Sequence, residues 1–479
     1  MTTIKSILEE KGPLMSSELV RTMSETGNIT LNSASQRVSR DREIIQIKGF
    51  FKSNQSLCYL PKHLDDPDLL KIVSKAMYES GRKYWFTFNA LKMHDGVISN
   101  KYLECYTNYP VLPLKKHRPF KEIMQSFIAE EILVFNNEDY IYSPKFSSLI
   151  TNPLIHKTIE LIKDTTLESF HSLCRNTGLI SYDSGELFGE FGKLRWGFKG
   201  ASYVLGLKHN NKPGFLLADI LIGKPFYKND ILFFIEKIQL LQSFKGASRL
   251  LPFLIVDDLD KEGLRALKEK GVIVGFVKDL FGEKYAKALR ELISILSNAG
   301  ASLKSNPEKY LDLIAELKKY NEGLLNNIRG TLFEFAVGHI HSKECNSIDL
   351  GREIIMNNAR HEMDVLAIYG NKIVIAECKA IKGQVDEGMI LKWLNTKIPA
   401  FRKWLLSQET LKGKKVEFEY WSTSGFTENA KSLLDKQIAS DSSYKVSYFD
   451  SVALRNKAKE LNDKKLKETL DNFFLRPIV

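Results

Sequence analysis

Residues 1–62 carry apolar positions at the spacing of three short helices, followed by two short strands. Ser16 or Ser17 can cap the second helix and Asn32 or Ser33 the third, because a side-chain oxygen can accept from a free backbone N–H there. The strands are predicted at Ile44–Phe51 and Leu57–Leu60, around a polar tip at 52–55. The pattern predicts a small α+β domain over residues 1–62.

The third predicted helix carries side chains of the kinds that contact base edges and phosphates in the major groove. They are Gln36, Arg37, Arg40 and Arg42. The order of elements resembles a winged helix-turn-helix module, and this resemblance implies contact with DNA through these four residues. A solvated helix face, or a winged helix that binds protein, would account for the same residues.

Residues 63–150 are predicted to repeat this plan as a second winged-helix-like domain. Helices are predicted at Pro67–Glu79, Phe88–Met93, Lys101–Thr107 and Arg118–Glu131, and strands at Ile132–Phe135 and Tyr140–Tyr142. The tip between the two strands is acidic and therefore suits phosphate poorly. A packing or spacer role is at least as compatible with this segment as DNA binding.

Two later segments share one order of elements: hairpin, helix, strand, helix, strand. The first segment is predicted as a hairpin of Tyr203–Leu207 and Phe215–Ile222, a helix Ile231–Gln242, a strand Leu251–Val256, a helix Lys261–Lys270 and a strand Val272–Val277. The second follows Met363, with a helix Met389–Leu406, a strand Val416–Trp421, a helix Thr427–Gln437 and a strand Tyr444–Phe449. Both segments therefore predict α/β domains with a central mixed sheet flanked by helices, over residues 151–300 and 301–479.

The hairpin of the second segment, His361–Lys379, consists of two apolar strands around Gly370-Asn371. Glycine at the first turn position suits a type II′ turn, which pairs Tyr369 with Lys372. Counting back places Asp364 opposite Glu377, and side-chain alternation puts Lys379 on the same face. The first segment keeps an acid at Asp219 but has a leucine where this lysine would fall, so we infer a degenerate copy without the acidic constellation.

Two directly opposed carboxylates repel each other. At about 5 Å and an effective dielectric constant of about 20 the repulsion is roughly 3 kcal/mol, so a compensating cation is expected. Mg²⁺, with Mn²⁺ as an alternative, suits oxygen ligands and would activate water for phosphodiester hydrolysis. Glu334, on a predicted helix Leu324–His341, is a candidate third acid, although it would equally form an ordinary ion pair or be solvated. An edge hairpin with solvated acids is the alternative reading of the whole pattern.

The chain of 479 residues is 43% hydrophobic, has a formal net charge of +11 and is long enough for several domains. The positive charge favours a polyanionic partner. The five cysteines are scattered and form no CxxC pair, which favours a reducing cytoplasm. No apolar run approaches the ~20 residues of a membrane span, and the N-terminus, which carries acids and has no apolar core, does not resemble a signal peptide. We therefore expect a cytoplasmic protein without membrane association.

Three short motifs resemble the PD-(D/E)XK nuclease superfamily: Gly330-Thr331-Leu332-Phe333-Glu334, Glu362–Ala367, and Glu377-Cys378-Lys379. The resemblance covers roughly residues 320–455 and is greatest to the restriction-endonuclease-like branches with Mrr-type enzymes and archaeal Holliday-junction resolvases. It implies that Asp364, Glu377 and the backbone carbonyl of Cys378 bind Mg²⁺, that Lys379 positions or activates water, and that Glu334 is the helix acid. Met363 stands where the family's name has proline.

The resulting expectation is a Mg²⁺-dependent DNA endonuclease of restriction or defence type, with winged-helix modules that bind DNA. One active site cuts one strand, so double-strand cleavage would require a homodimer or two events, and an unidentified partner subunit is compatible with the sequence. A non-catalytic DNA-binding regulator or architectural protein with a vestigial site, and a structure-specific resolvase in repair, are the alternatives. The motifs do not separate DNA from RNA as substrate.

Overall fold

The computed structural model describes residues 3–66, 68–144, 146–147, 153–208, 212–244, 248–318, 322–356, 359–440 and 443–475. Its helices are α1 Ile4–Lys11, α2 Ser16–Gly27, α3 Leu31–Arg40, α4 Leu69–Ser80, α5 Arg82–Met93, α6 Asn100–Cys105, α7 Phe120–Ala129, α8 Pro153–Asn176, α9 Leu232–Gln242, α10 Lys261–Glu269, α11 Val277–Phe281, α12 Glu283–Ser297, α13 Ala299–Ser305, α14 Lys309–Lys318, α15 Glu322–Asn327, α16 Arg329–Ser342, α17 Glu387–Lys392, α18 Ile398–Ser407, α19 Glu428–Ala439, α20 Ser451–Glu460 and α21 Lys464–Thr469.

Its strands are β1 Leu14–Met15, β2 Ile45–Ile47, β3 Leu57–Tyr59, β4 Val97–Ser99, β5 Leu133–Asn136, β6 Asp139–Tyr142, β7 Glu186–Leu187, β8 Glu190–Phe191, β9 Leu194–Arg195, β10 Phe198–Ser202, β11 Gly214–Phe226, β12 Leu250–Leu259, β13 Ile273–Phe276, β14 Ser347–Met356, β15 Ala359–Ile368, β16 Lys372–Lys379, β17 Lys415–Ser422 and β18 Lys445–Phe449. Among the described residues, no helix is long and apolar enough to cross a membrane.

The chain divides into two compact units, and each is considered by itself. The N-terminal unit comprises Met1–Thr151 and Leu167–Gly275, and the C-terminal unit comprises Asn152–Thr166 and Phe276–Val479. The predicted boundary at 150/151 lies outside the described residues, and the predicted boundary at 300/301 falls inside α13. The division into four domains stays a prediction.

The first module of the N-terminal unit packs α1, α2 and α3 against a small sheet in the order β1-β3-β2. α3 begins at Leu31, because the hydroxyl of Thr30 accepts a hydrogen bond from the Ser33 backbone N–H at 3.3 Å. The predicted cap at Asn32 or Ser33 was therefore wrong. α3 ends at Arg40, so Arg42 lies beyond the helix on which it was predicted.

A second group of elements follows, in which α4–α7 accompany a sheet in the order β4-β6-β5. The hairpin of β5 and β6 turns at Asn137 and Glu138, and both residues have positive φ angles, 47° and 74°. Two consecutive positive φ values give a tight two-residue hairpin turn. The predicted start of α4 at Pro67 lies outside the described residues.

The larger sheet of the N-terminal unit has the order β13-β12-β11-β10-β7. β10 pairs antiparallel with β11, and β11 pairs parallel with β12. The predicted hairpin strand at Tyr203–Leu207 was wrong, because the chain enters a short 3-10 turn at Leu205–Leu207 and Phe198–Ser202 forms the strand instead.

The sheet of the C-terminal unit has the order β14-β15-β16-β17-β18. β14, β15 and β16 are antiparallel neighbours, whereas β16, β17 and β18 are parallel. A π-helical turn at Trp393–Lys397 joins α17 to α18, and these helices pack with α19 over a core that includes Trp393, Phe401 and Phe418. The chain is thus a multidomain mixed α/β protein with mixed sheets flanked by helices, which confirms the predicted fold class at this level.

Candidate active site

The register of β15 and β16 brings the predicted acids together at one end of the hairpin. Leu366 pairs with Ile375 and Val365 with Ala376. The backbone pairing of the two strands ends there, and a hydrogen bond to the Asp364 side chain follows it. The Asp364 carboxylate accepts a hydrogen bond from the Cys378 backbone N–H at 2.7 Å. This contact fixes a buried carboxylate against the strand that carries Glu377.

Lys379 lies between the two carboxylates. Its Nζ is 2.7 Å from Glu377 Oε1 and 3.6 Å from Asp364 Oδ2, and it donates to the Cys378 carbonyl at 3.2 Å. Burial disfavours its charged form, but Asp364 and Glu377 outweigh burial and raise the pKa of Lys379. The lysine is therefore a fixed positive charge within the acid cluster.

A second lysine, Lys397, was missed by the sequence analysis. It ends the π-helical turn, and its Nζ donates to both Glu377 oxygens, at 2.7 and 2.6 Å. Although burial opposes ionisation of Glu377, the two lysines hold the pKa of this carboxyl below its usual value. π-turns inside helices occur frequently at functional sites, because they displace one side chain from the regular helical track.

Two further acids border the cluster. Burial, followed by Asp364 and Glu362, raises the pKa of Glu334 on α16 well above its ordinary value. Glu334 Oε2 is buried without a hydrogen-bond partner among the described residues. Burial and the neighbouring Asp364 raise the pKa of Glu362 to about 7. Burial is the main cause of both raised pKa values, and the neighbouring carboxylates add to it.

The four carboxylates are Glu334, Glu362, Asp364 and Glu377, and the cations that act on them are Lys379, Lys397 and, at Glu362, Lys157. Four acids against three ammonium groups leave one negative charge in excess when all are ionised. A divalent cation would balance this excess, and carboxylate oxygens are the ligands that Mg²⁺ prefers.

The donor set therefore fits a hard cation in its chemistry, and the buried Glu334 oxygen, which has no hydrogen-bond partner in the described part of the chain, supports this fit. Within the described part of the chain, however, no group of three or more His, Cys, Asp or Glu side chains is already gathered around one metal position. Glu377 instead bonds the two lysines. A metal that used both Glu377 oxygens would have to displace Lys397.

The N-terminal unit contains a contrasting buried pair, Asp219 and Lys237. The Lys237 ammonium lies 2.7 Å from Asp219 Oδ2 and also donates to the backbone carbonyls of Cys105 and Arg195. All three ammonium donors are thus used, and one acid balances one base. This arrangement leaves no excess charge for a metal.

The predicted nucleic-acid-binding residues lie in the N-terminal unit, away in sequence from the acid cluster. Gln36, Arg37 and Arg40 are exposed on α3, and Arg42 is exposed just beyond it. Within the described residues, none of the three arginines forms an ion pair. Their positive charges are therefore available to bind an external anion.

No family model matches this sequence, and no curated protein matches it. The solved structure of protein VC1899 from Vibrio cholerae is similar with a TM-score of 0.16 and 10% sequence identity, over 59% of this chain and 80% of that chain. A similarity at this level carries no argument about fold or function, so the site must be interpreted from its own geometry.

Proposed function

We propose that the C-terminal unit is a metal-dependent endodeoxyribonuclease of the PD-(D/E)XK type, using Mg²⁺ or Mn²⁺. The observation that carries this proposal is the excess of buried carboxylate around Lys379, including a Glu334 oxygen that has no hydrogen-bond partner among the residues that the structure describes. Structural ion pairs are normally balanced, and buried uncompensated charge is costly. Binding of a divalent cation and a phosphodiester substrate would explain why the fold carries this unbalanced charge.

In this proposal, Asp364, Glu377 and the backbone carbonyl of Cys378 hold the metal. A bound Mg²⁺ would supply Lewis-acid stabilisation and a nucleophilic water. Lys379 stays protonated beside two carboxylates and therefore donates hydrogen bonds to a water or a phosphate oxygen rather than removing a proton. Glu334 borders the same space and would orient a water molecule or complete the ligand set.

DNA binding is proposed for the N-terminal unit, as winged helix-turn-helix modules in which α3 presents Gln36, Arg37 and Arg40. The support is the exposure of these side chains and the absence of ion pairs on Arg37 and Arg40 within the described residues. Arg42 is exposed too, but its place beyond the helix suits it to the phosphate backbone rather than to base edges. Restriction or defence against foreign DNA is the biological role that we propose.

Nicking of supercoiled plasmid tests the proposal, with the wild type compared with Asp364→Ala and Lys379→Ala in Mg²⁺ and in Mn²⁺. Metal-dependent nicking that both variants abolish would support the nuclease. Equal nicking by all three proteins would overturn it. A four-way junction and an RNA duplex, assayed in parallel, separate a resolvase and a ribonuclease from an enzyme that cuts ordinary DNA.

One observation favours a second candidate, a DNA-binding regulator with a vestigial site. Glu377 is already bonded by two ammonium groups, so the cluster is partly neutralised without a metal. This candidate predicts duplex binding that depends on Arg37 and Arg40, with no measurable heat of Mg²⁺ binding. Calorimetry of the full chain with MgCl₂ therefore distinguishes a vestigial site from a nuclease that awaits a dimer partner or another subunit.

A further inference from the structure

A basic cavity of about 570 Å³ lies within the N-terminal unit, outside the candidate active site. It is bounded by the tip between β2 and β3, by the start of α5 and by the loop before α7. Five basic side chains line it: Lys52, Arg82, Lys83, Lys116 and Arg118. The volume is in the range of pockets that bind small molecules.

The charges of this cavity are poorly balanced. Glu236 is the one carboxylate among the described lining residues, and it is already bonded by Arg82 at 2.8 Å and by Asn108 at 2.8 Å. Arg118 is paired with Glu122, outside the lining, at 3.5 Å. Lys52 and Lys116 form no ion pair within the described residues. Five cations against these two acids leave three positive charges in excess, without counting His117. Like charges gathered in a concavity repel each other unless an anion enters.

Some of these cations are held in place by the protein. The Arg82 guanidinium lies over the rings of Tyr78 and Trp85, at 4.3 and 4.5 Å from their centroids. Arg118 donates to the Tyr84 hydroxyl at 2.5 Å. Such contacts fix guanidinium groups before any ligand arrives, which lowers the entropic cost of binding.

The cavity floor is apolar. Phe50, Phe86 and Tyr109 line it, and each of these aromatic side chains is buried. An apolar floor keeps water away from one side of a bound ligand and thereby strengthens its contacts with the surrounding cations. The cavity thus combines several cations with a surface on which the uncharged part of a ligand would pack.

We propose that this cavity binds a phosphorylated ligand of nucleotide size through its phosphate groups. Phosphate oxygens match both the excess charge and the hydrogen-bond geometry of arginine. The same chemistry is offered by a free nucleotide and by the terminal phosphates of a nucleic-acid strand. The proposal does not depend on the nuclease, because none of the lining residues belongs to the acid cluster.

Isothermal titration calorimetry on the full chain tests the proposal, with ATP, inorganic pyrophosphate and a 5′-phosphorylated tetranucleotide as probes at low salt. The cavity variant combines Lys83→Glu with Lys116→Glu. The matched control combines Lys268→Glu with Lys270→Glu, two exposed lysines of the same unit outside the cavity. Both variants change the net charge equally, so a nonspecific charge effect would appear in both.

We expect at least one phosphate probe to bind the wild type and the control, and to bind the cavity variant at least tenfold more weakly. The milder pair Lys83→Gln with Lys116→Gln should show a smaller loss, which guards against a misfolded variant. Equal losses in the cavity and control variants, or no binding of any probe to the wild type, would overturn the proposal.

Competition identifies the source of the phosphate. If ATP displaces a labelled DNA duplex from the wild type, the cavity receives phosphates of nucleic acid, whereas ATP bound without displacement identifies a free nucleotide. The Asp364→Ala variant should bind these probes as the wild type does. Phosphate binding in the cavity would therefore still be observed if the nuclease proposal failed. Absence of phosphate binding would equally leave the nuclease proposal standing.

Discussion

Replacing Lys397 by methionine tests whether its ammonium group competes with a metal for Glu377. The Lys397 Nζ lies 2.6 Å from the nearer Glu377 oxygen, which at an effective dielectric constant of about 20 corresponds to a Coulomb energy of about 6 kcal/mol. Desolvation costs several kcal/mol per ion and offsets much of this energy. Glu377 has a second ammonium partner, Lys379 at 2.7 Å, which the substitution does not remove.

We therefore expect the metal-free variant to lose about 1–3 kcal/mol of unfolding free energy, less than a buried pair left without any cation. The variant should gain the same free energy in metal binding, because the wild type must break the Lys397–Glu377 ion pair before both Glu377 oxygens are available. A coupling of about 1–3 kcal/mol corresponds to a roughly 5- to 150-fold higher affinity of Lys397→Met for Mg²⁺. Its nicking activity should fall if Lys397 also contacts phosphate.

Calorimetric titration of the full chain with MgCl₂ measures the affinity, and thermal unfolding without metal measures the stability change. Lys392→Met is the matched control, because Lys392 is exposed on α17 and forms no ion pair within the described residues. It should leave both quantities unchanged. If Lys397→Met binds Mg²⁺ no more tightly than the wild type, the metal does not compete with this lysine, and the reasoning fails.

Three further sets of substitutions test the candidate site, the packing and the proposed DNA-binding surface. Asp364→Asn keeps a hydrogen-bond acceptor but removes a buried charge. It should therefore abolish nicking and stabilise the metal-free chain by about 0.5–2 kcal/mol. A melting temperature below that of the wild type would contradict this expectation. Gly300→Ala should destabilise by about 1–3 kcal/mol, because its Cβ would clash with the backbone oxygen of Ile348 in β14. Gly330→Ala meets nothing within 4 Å and should stabilise the helix by about 0.5–1 kcal/mol, so equal denaturation midpoints for the two alanine variants would refute the packing argument. The double variant Arg37→Ala with Arg40→Ala should weaken duplex binding and lower the salt dependence of the binding constant by about one ion per lost phosphate contact. Arg21→Ala is the control and should change neither quantity. An unchanged salt slope in the double variant would exclude these contacts.

The hairpin could be predicted in detail because its information is local. Alternation along each strand and a glycine at the turn determine which residues face each other, and the pairs Leu366–Ile375 and Ile368–Ile373 occur as counted. The approach of Asp364 to Glu377 follows from the same counting. Local pattern was sufficient here, because a shift of one residue would turn every apolar side chain to the other face.

Other features depended on distant residues and could not be predicted in this way. β14 was missed, because Asp349, Arg352 and Glu353 interrupt the apolar alternation of Ser347–Met356. Lys397 was missed because it is one of several lysines in its region of the chain. A π-turn 20 residues beyond Glu377 brings this lysine to the carboxylate, and helical periodicity alone does not predict such a turn.

The two larger sheets show why the fold alone would not distinguish a candidate active site from a structural ion pair. In each sheet an antiparallel strand pair continues into a parallel neighbour, and the following helix supplies a lysine to a strand acid. Lys237 follows Asp219 by 18 residues, and Lys397 follows Glu377 by 20. The first pair is fully buried and balanced, whereas the second belongs to a cluster with more acids than bases. Charge balance, rather than the order of elements, is therefore our reason for proposing a metal site at the C-terminal sheet and not at the N-terminal one.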